Sequence, residues 1–382
     1  MKRIVCALSL ITAFSASADF RDVAPIIGME LDKIAIKNAC RFYVKGSDQQ
    51  KFLKAIECGN INKVSSLIAK ADVNDSSNGF SPLVKALQLK NDYYSPVGPE
   101  NYETIAKMLI ANGADVNNVS KHGFTPLISA LMKQSNEIAT TIIPRLTSEN
   151  INQIAKLATG DERVALNLTK DSQVIKMLLD GGATADTTLR TSIALNRRVK
   201  ESILLTTLRQ RSFEKASLLI DAGAEVNART LEISDSISEG LTKTTSTHAL
   251  FNNEWTYGQE AEFEIAHNND GLIVFNKQIA EIEKLIEKGL DINSQDSNGA
   301  TVLHYIAEGN YKYGDYEKDL TAKLNFLLSQ KGLDKSIKNK DGKTALDLAI
   351  INLNLASELD DRMPIKLTRI QYFNSVIEKL NQ

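Results

Sequence analysis

The chain has 382 residues, of which 43% are hydrophobic and 24% charged, and its formal net charge is −2. Nucleic-acid binders usually carry a basic surplus, so no nucleic-acid partner is expected. Aromatics make up only 6% and prolines number 7, which suits a repetitive helical array better than strand-and-turn architectures.

Lys2 and Arg3 precede an apolar run, Ile4 to Phe14, followed by the small residues Ala16-Ser17-Ala18. This is the layout of a secretory signal peptide, and the run is shorter than the roughly 20 residues that span a bilayer. Cys6 lies inside the run without the small-residue context of a lipoprotein site. Cleavage is therefore expected near Ala18–Asp19. The alternative is an uncleaved N-terminal helix. Loss of Lys2 and Arg3 takes the net charge to −4. The signal has a bacterial layout, so the expected destination is the periplasm or the outside, with no membrane insertion of the mature chain. Cys40 and Cys58 remain. In an oxidising compartment they are expected to pair; the alternative is two small buried apolar residues.

Residues 19–47 read as an N-terminal capping segment, with a helix over 29–43. From residue 48 to 352 one phrase recurs: an apolar triplet, a short turn, then Gly-Ala-Asp-Val-Asn or a relative of it. Ala106, Leu109 and Ile110 precede Gly113-Ala114-Asp115-Val116-Asn117. Ile175, Leu178 and Leu179 precede Gly182-Ala183-Thr184-Ala185-Asp186. Ala216, Leu219 and Ile220 precede Gly223-Ala224-Glu225-Val226-Asn227. Ile282, Leu285 and Ile286 precede Gly289-Leu290-Asp291-Ile292-Asn293. Weaker copies end at Asn74, Asn152 and Ser336; the one before Asn152 carries Pro144 and no Gly. Positions i, i+3 and i+4 share one helical face, so each triplet is a buried stripe. Gly after it can end the helix in the left-handed conformation, and the Asp and Asn that follow suit a turn.

A second phrase opens a different helix. It reads Asn78-Gly79-Phe80-Ser81-Pro82-Leu83, His122-Gly123-Phe124-Thr125-Pro126-Leu127, Asn298-Gly299-Ala300-Thr301-Val302-Leu303 and Asp341-Gly342-Lys343-Thr344-Ala345-Leu346. The Gly pairs make tight turns. Ser or Thr then caps a helix whose first position tolerates Pro. Together the phrases resemble the ankyrin repeat, and His304 sits where that family's Thr-Pro-Leu-His-x-Ala pattern has its histidine. The resemblance implies an all-α, ankyrin-like helical solenoid of about 7–8 repeats with short β-turn or hairpin connections and helical caps.

The period departs from the family's 33 residues. Between successive phrase ends the gaps are 43, 35, 34, 41, 66 and 43 residues. Insertions are expected near 91–102, 229–277 and 310–318. The 66-residue gap reads as one repeat whose first helix starts at Thr247-His248-Ala249-Leu250 and whose second is Ile279–Lys288. Residues 229–246 and 251–277 are then mostly irregular. Residues 353–382 read as a C-terminal capping segment, with Ile365, Leu367, Ile370, Phe373 and Ile377 on the apolar side of a helix over 365–381.

Little of the sequence points to catalysis. His122, His248, His267 and His304 show no metal-binding spacing, and neither a metal nor a cofactor is expected. His304 reads as a structural hydrogen-bonding residue, while His122 and His267 read as solvated. Ser212-Phe213-Glu214-Lys215 matches a Ser-x-x-Lys nucleophile motif without its partner motifs, and Ser212 reads instead as a helix cap. Glu260–Glu264 lacks the spacing of a calcium loop. An enzyme is therefore not expected.

Solenoids bind other proteins through extended surfaces. The expectation is a protein–protein interaction scaffold in the periplasm; an immunity or inhibitor protein that binds a toxin or enzyme is the first candidate. The alternatives are an enzyme or small-ligand binder using residues 251–277, or a secreted effector that binds host proteins. Tyr93, Tyr94, Tyr102, Tyr257, Tyr311, Tyr313, Tyr316 and the only tryptophan, Trp255, fall in the expansions between paired helices. Trp255, Tyr257, Tyr311, Tyr313, Tyr316, Tyr93 and Tyr94 are the candidate protein-binding residues, because Tyr and Trp are enriched at interface hot spots. The competing reading is that each loop uses its aromatics to cover its own repeat.

Overall fold

The computed structural model describes residues 40, 46–92, 95–194, 197–228, 231–233, 247–248, 270–309, 317–360, 363 and 365–382. The expected signal peptide, the helix over 29–43, His267, the acidic run Glu260–Glu264 and all seven candidate binding aromatics lie outside these residues. The chain divides into two compact units, residues 1–156 with 163–182, and residues 157–162 with 183–382.

The first unit is a stack of helix pairs. Helices α1 (Asp48–Glu57) and α2 (Ile61–Leu67) form one pair, and α3 (Pro82–Leu89) and α4 (Pro99–Ala111) the next. α5 (Pro126–Met132) and α6 (Asn136–Ile142) form a third, followed by the single turn α7 (Ser148–Ile151) and by α8 (Ser172–Asp180). The partner of α8 has shrunk to a one-turn 3-10 helix, Ala165–Asn167. The second unit pairs α9 (Ile203–Arg209) with α10 (Phe213–Asp221). α11 (Asp270–Glu287) follows, then α12 (Val302–Glu308) with α13 (Glu317–Ser329), and α14 (Ala345–Ser357) with α15 (Ile365–Asn381). Both units are helical repeat stacks, as the sequence implies.

Three of the four caps form as the second phrase predicts, while the Thr301 hydroxyl lies 2.9 Å from His304 Nδ1 instead. Ser81 Oγ accepts from Val84 N, Thr125 Oγ1 from Ile128 N at 3.1 Å and Thr344 Oγ1 from Asp347 N at 3.2 Å. These bonds satisfy N–H groups that the first helical turn leaves without a partner. The apolar stripes are buried, and Leu109, Leu178 and Leu219 are wholly inaccessible.

The Asn that ends the first phrase does more than turn the chain. Asn227 Nδ2 donates to the Gly289 carbonyl at 2.9 Å, and its Oδ1 accepts from Asp291 N at 2.8 Å. Asn293 repeats this on Gly332 and Asp334, at 2.7 and 2.9 Å. Asn74 does so on Gly113 and Asp115, at 3.2 and 2.7 Å. Each such Asn clamps its repeat to the backbone of the next, using one donor and one acceptor of the same amide. The clamp survives where the phrase is weakest. Asn117 donates to Arg145 O and accepts from Thr147 N, both at 3.2 Å, although no Gly is present. Asn152 in turn donates to Gly182 O at 2.8 Å. At Asp186 the amide is replaced by a carboxylate, which accepts from Glu225 N at 3.4 Å and has no N–H to donate.

The clamp from Asn227 reaches Gly289 and Asp291 directly across the 66-residue gap. Thr247 Oγ1 donates to Asp291 O at 2.6 Å and begins that repeat's first helix, as expected. Two features beside it go beyond the sequence reading. α11 starts at Asp270, nine residues before Ile279, so 270–277 are helical and not irregular. A three-stranded antiparallel sheet, which the sequence pattern does not announce, joins β1 (Thr188–Ala194), β2 (Arg197–Ser202) and β3 (Leu231–Ile233) in that order.

At the C-terminus, α15 has the expected bounds but a rotated face. Tyr372, Phe373, Val376 and Leu380 are buried while Leu367 is 65% exposed. Tyr372 hydroxyl donates to Ile306 O at 2.6 Å, and this anchor turns Phe373 inward with it. At the other end Cys40 is joined to Cys58, with Cα atoms 5.5 Å apart, tying the segment before α1 to the turn after it.

Candidate functional site

Counting from the capping residue aligns the first helices of the repeats. Two, three, five and six residues after the cap, the side chains form the core: Leu83, Val84, Ala86 and Leu87 in α3, and Leu127, Ile128, Ala130 and Leu131 in α5. The places four and seven residues after the cap lie one helical turn apart on the remaining face. They hold Lys85 and Gln88 in α3, Ser129 and Met132 in α5, Thr206 and Arg209 in α9, Tyr305 and Glu308 in α12, and Leu348 and Ile351 in α14. Met132 and Ile351 are 36% and 39% exposed, and only Ser129 is buried. The core positions are mostly apolar, with Thr207 in α9, His304 in α12 and Asp347 in α14 as the polar members, whereas this row changes through cationic, amide, thioether, phenol, carboxylate and aliphatic groups.

The turns beside the row are ordered by links between repeats. Lys121 N donates to Gly79 O at 2.9 Å in the first unit, and Lys340 N to Asn298 O at 2.8 Å in the second. Phe80 and Phe124, from successive turns, meet edge to face at 6.3 Å. His122 is exposed, as expected, with φ 62° in the left-handed region.

His304 belongs to the framework. Its Nδ1 accepts from Thr301 N at 3.1 Å, and its Nε2 lies 3.1 Å from Lys343 O in the next repeat. With Nδ1 accepting, Nε2 carries the proton and donates it. Burial holds the imidazole below its usual pKa of 6.5 and keeps the ring neutral. His248 has the same role in the preceding repeat: it is buried, and its Nε2 lies 3.1 Å from Ala300 O. Sequence reasoning places His248 only at a helix start and misses this role. The signal is its spacing, since Thr245 stands three residues before His248 as Thr301 does before His304.

The other polar features near the row are also internal. Asp296 Oδ1 accepts from Asn298 N and Ala300 N, at 2.8 and 2.9 Å, and Tyr305 hydroxyl donates to Oδ2. Glu308 is pushed above the usual carboxylate range by burial and by the Asp296 charge. Arg209 grips Glu201 at 2.9 and 2.8 Å. Ser212 stands at the start of α10, but its hydroxyl makes no capping bond. Its motif partner Lys215 is buried. Among the described residues no group of three or more His, Cys, Asp or Glu could hold a metal ion, and no helix is long and apolar enough to cross a membrane.

The paired helices, capped starts and amide clamps make the repeat ankyrin-like. No family model and no curated protein matches the chain. Among solved structures it is similar to the crystal structure of the ankyrin repeat domain of Bcl-3, described as a unique member of the IkappaB protein family. The identity is 15%, the match covers 80% of this chain and 99% of that one, and the TM-score is 0.43.

Tyr102 corrects one element of the aromatic reading. The sequence groups it with the tyrosines of the expansions, yet α4 begins at Pro99 and carries it into the core. It is fully buried, its hydroxyl donates to Glu57 O at 2.9 Å, and burial pushes its pKa up to about 12. The end of the expected insertion, from Pro99, is here a first helical turn, and its aromatic joins the core and bonds the preceding repeat.

Proposed function

We propose that this chain is a protein-binding scaffold that uses the row four and seven residues after each helix cap, together with the adjoining turns. The observation that supports this reading is the contrast within one helix: a mostly apolar core face beside a partly exposed row whose chemistry is re-specified in every repeat. A catalytic centre needs convergent groups, and a row of dissimilar ones in each unit suits a protein surface better. The finer reading is an exported protein, directed by Lys2, Arg3, the Ile4–Phe14 run and Ala16-Ser17-Ala18, which acts as a stoichiometric inhibitor of a toxin or enzyme.

Site-specific photo-crosslinking in the source cell tests the surface. Probes at Gln88 and Met132, both in the first unit, should capture the same partner, and probes at Ser66 and Glu149 should not. Equal capture from both sets, or none from the row, would overturn the reading. N-terminal sequencing of the exported protein, expected to start at Asp19, tests the compartment. The inhibitor reading is tested with the product of the neighbouring reading frame, whose activity should fall to zero at a one-to-one ratio.

A further inference from the structure

Helix α14 is apolar on every side. Nine of its thirteen residues are Ala, Ile or Leu, and Asp347 is its only charged one. A helix of that kind is normally buried. Here burial falls on the small residues Ala345, Ala349 and Ala356, while Ile350, Ile351 and Leu355 are 42%, 39% and 56% exposed. The place six residues after the cap makes the contrast plain. It holds Leu87, Leu131, Leu208 and Ala307 in α3, α5, α9 and α12, all buried, and the exposed Ile350 in α14. Among the described residues α14 packs against α12 and α15. The open side carries Ile350, Ile351 and Leu355, which share it by helical spacing. Exposed apolar patches of this kind mark contact surfaces.

The charges at the ends of α14 have the wrong sign for the helix itself. The exposed turn before it carries Lys338, Lys340 and Lys343 against the single Asp341, and exposed Glu358 and Asp360 follow its C-terminus. The helix dipole favours the opposite placement. Asp347, in the first turn, is committed to the cap: its Oδ2 accepts from Thr344 N and Thr344 Oγ1, both at 2.9 Å. Glu358 stands three residues after Leu355 and seven after Ile351, on the same side of the helix.

We propose that two copies of this chain associate through α14, packed antiparallel about a two-fold axis at Ile351. Residue 351 lies seven positions from the Thr344 cap and seven from Glu358. The axis therefore sets the lysines of each copy beside the partner's Glu358 and Asp360, and Ile350, Ile351 and Leu355 against their own counterparts. A two-fold contact must be complementary to itself. An apolar centre with one basic and one acidic end meets that requirement in the antiparallel sense, whereas a parallel pairing sets like charges together. A lipid surface fits less well, because the acidic end would face anionic headgroups. The inference goes beyond the scaffold reading: in α14 the row of Leu348 and Ile351 serves the contact between copies, and the rows of the earlier repeats remain for the partner protein.

Sedimentation velocity of the full chain over a concentration series should show a monomer–dimer equilibrium. Ile351→Glu, which sets two carboxylates face to face at the axis, should be monomeric where the wild type is dimeric. Its thermal midpoint as a monomer should hold, because the side chain it replaces is partly exposed. Lys343→Glu and Glu358→Lys should each weaken the dimer about tenfold, since each change occurs twice in the contact. The chain carrying both should regain the lost association. A wild type that stays monomeric throughout overturns the proposal, as does a dimer that Ile351→Glu leaves intact or that the double variant fails to restore. Binding of the monomer to anionic lipid vesicles, lost in Ile351→Glu, would assign the face to a membrane and overturn it too. A monomeric chain whose probes at Gln88 and Met132 still capture a partner sinks this inference and leaves the scaffold reading standing.

Discussion

The amide clamp makes a prediction whose sign reverses between two positions. In Asn227→Ala, the Gly289 carbonyl and the Asp291 N–H lose their partner, 2.9 and 2.8 Å away. A net intramolecular hydrogen bond contributes about 0.5–1.5 kcal/mol. Gly289 and Asp291 are exposed enough for water to replace the amide, so the two bonds together should cost roughly 1–2 kcal/mol. Asn227→Asp keeps the acceptor for Asp291 N–H and loses the donor, placing a carboxylate against a carbonyl oxygen. Its cost should be about 1 kcal/mol or more, with the larger share on the Gly289 side. Asp186→Asn is the reverse experiment. It supplies the missing donor and removes a carboxylate from beside Glu225, and it should stabilise by roughly 0.5–1 kcal/mol. Repeat arrays need not unfold in one step, so hydrogen exchange by mass spectrometry is the suitable assay. Peptides covering 285–293 should lose protection in Asn227→Ala, and peptides covering 219–227 should gain it in Asp186→Asn. Unchanged exchange at 285–293, or lower protection in Asp186→Asn, would show that the amides follow the turns and do not hold them.

Three further predictions follow from single residues. Leu219→Ala, in a fully buried site of α10, should cost roughly 2–5 kcal/mol by urea denaturation followed by circular dichroism. Alkylation and intact-mass analysis without reductant should find no free thiol at Cys40 or Cys58 in protein from an oxidising compartment. With a sequence separation of 18, reduction should cost about 3 kcal/mol in the chain-entropy account, and two alkylated thiols would rule the bond out. His304 is held below its ordinary value of 6.5 by burial, so the unfolded chain binds more protons between the two values. The stability it contributes is full above about 6.5 and declines as the pH falls below that; the thermal midpoint should drop over this range, and by less in His304→Gln.

What the sequence discloses follows from which features recur. The helix pairs, their caps and the buried triplets are legible because each is imposed by local chemistry and repeated several times. His304 is legible from its motif, and His248 less so, because an insertion separates it from the rest of its repeat. The clamp between repeats is not legible: an Asn that closes a turn on its own backbone and one that also reaches the next repeat look alike in sequence. The sheet escapes for a different reason. Thr188, Thr191, Ile193 and Val199 are β-branched, which favours strands, but they stand inside a repeat only 41 residues from its predecessor, where a loop suffices to explain the extra length. The bounds of α15 follow from its sequence and its face does not, because Ile and Leu dominate the pattern while Tyr372, with its bond to Ile306, sets the rotation.

Tyr102 and the remaining aromatics of the expansions call for separate treatment, and the difference can be measured. Tyr102 is structural because its segment is helical and its hydroxyl meets the Glu57 carbonyl. For Tyr311, Tyr313 and Tyr316 the flanking geometry argues the other way. α12 ends at Glu308, and Gly309 follows in the left-handed conformation, φ 57°, where a Cβ would stand 2.8 Å from the Phe373 ring. The chain leaves the helix at a point flanked by the Tyr372 and Phe373 rings. The i, i+2, i+5 spacing of Tyr311, Tyr313 and Tyr316 also cannot bury all three on one helical face. Replacing Trp255, Tyr257, Tyr311 and Tyr313 together by Ala should therefore leave the thermal midpoint nearly unchanged. Affinity for the cross-linked partner should fall at least tenfold, about 1.4 kcal/mol. A lower midpoint with affinity retained per folded molecule would make these rings structural, as Tyr102 is.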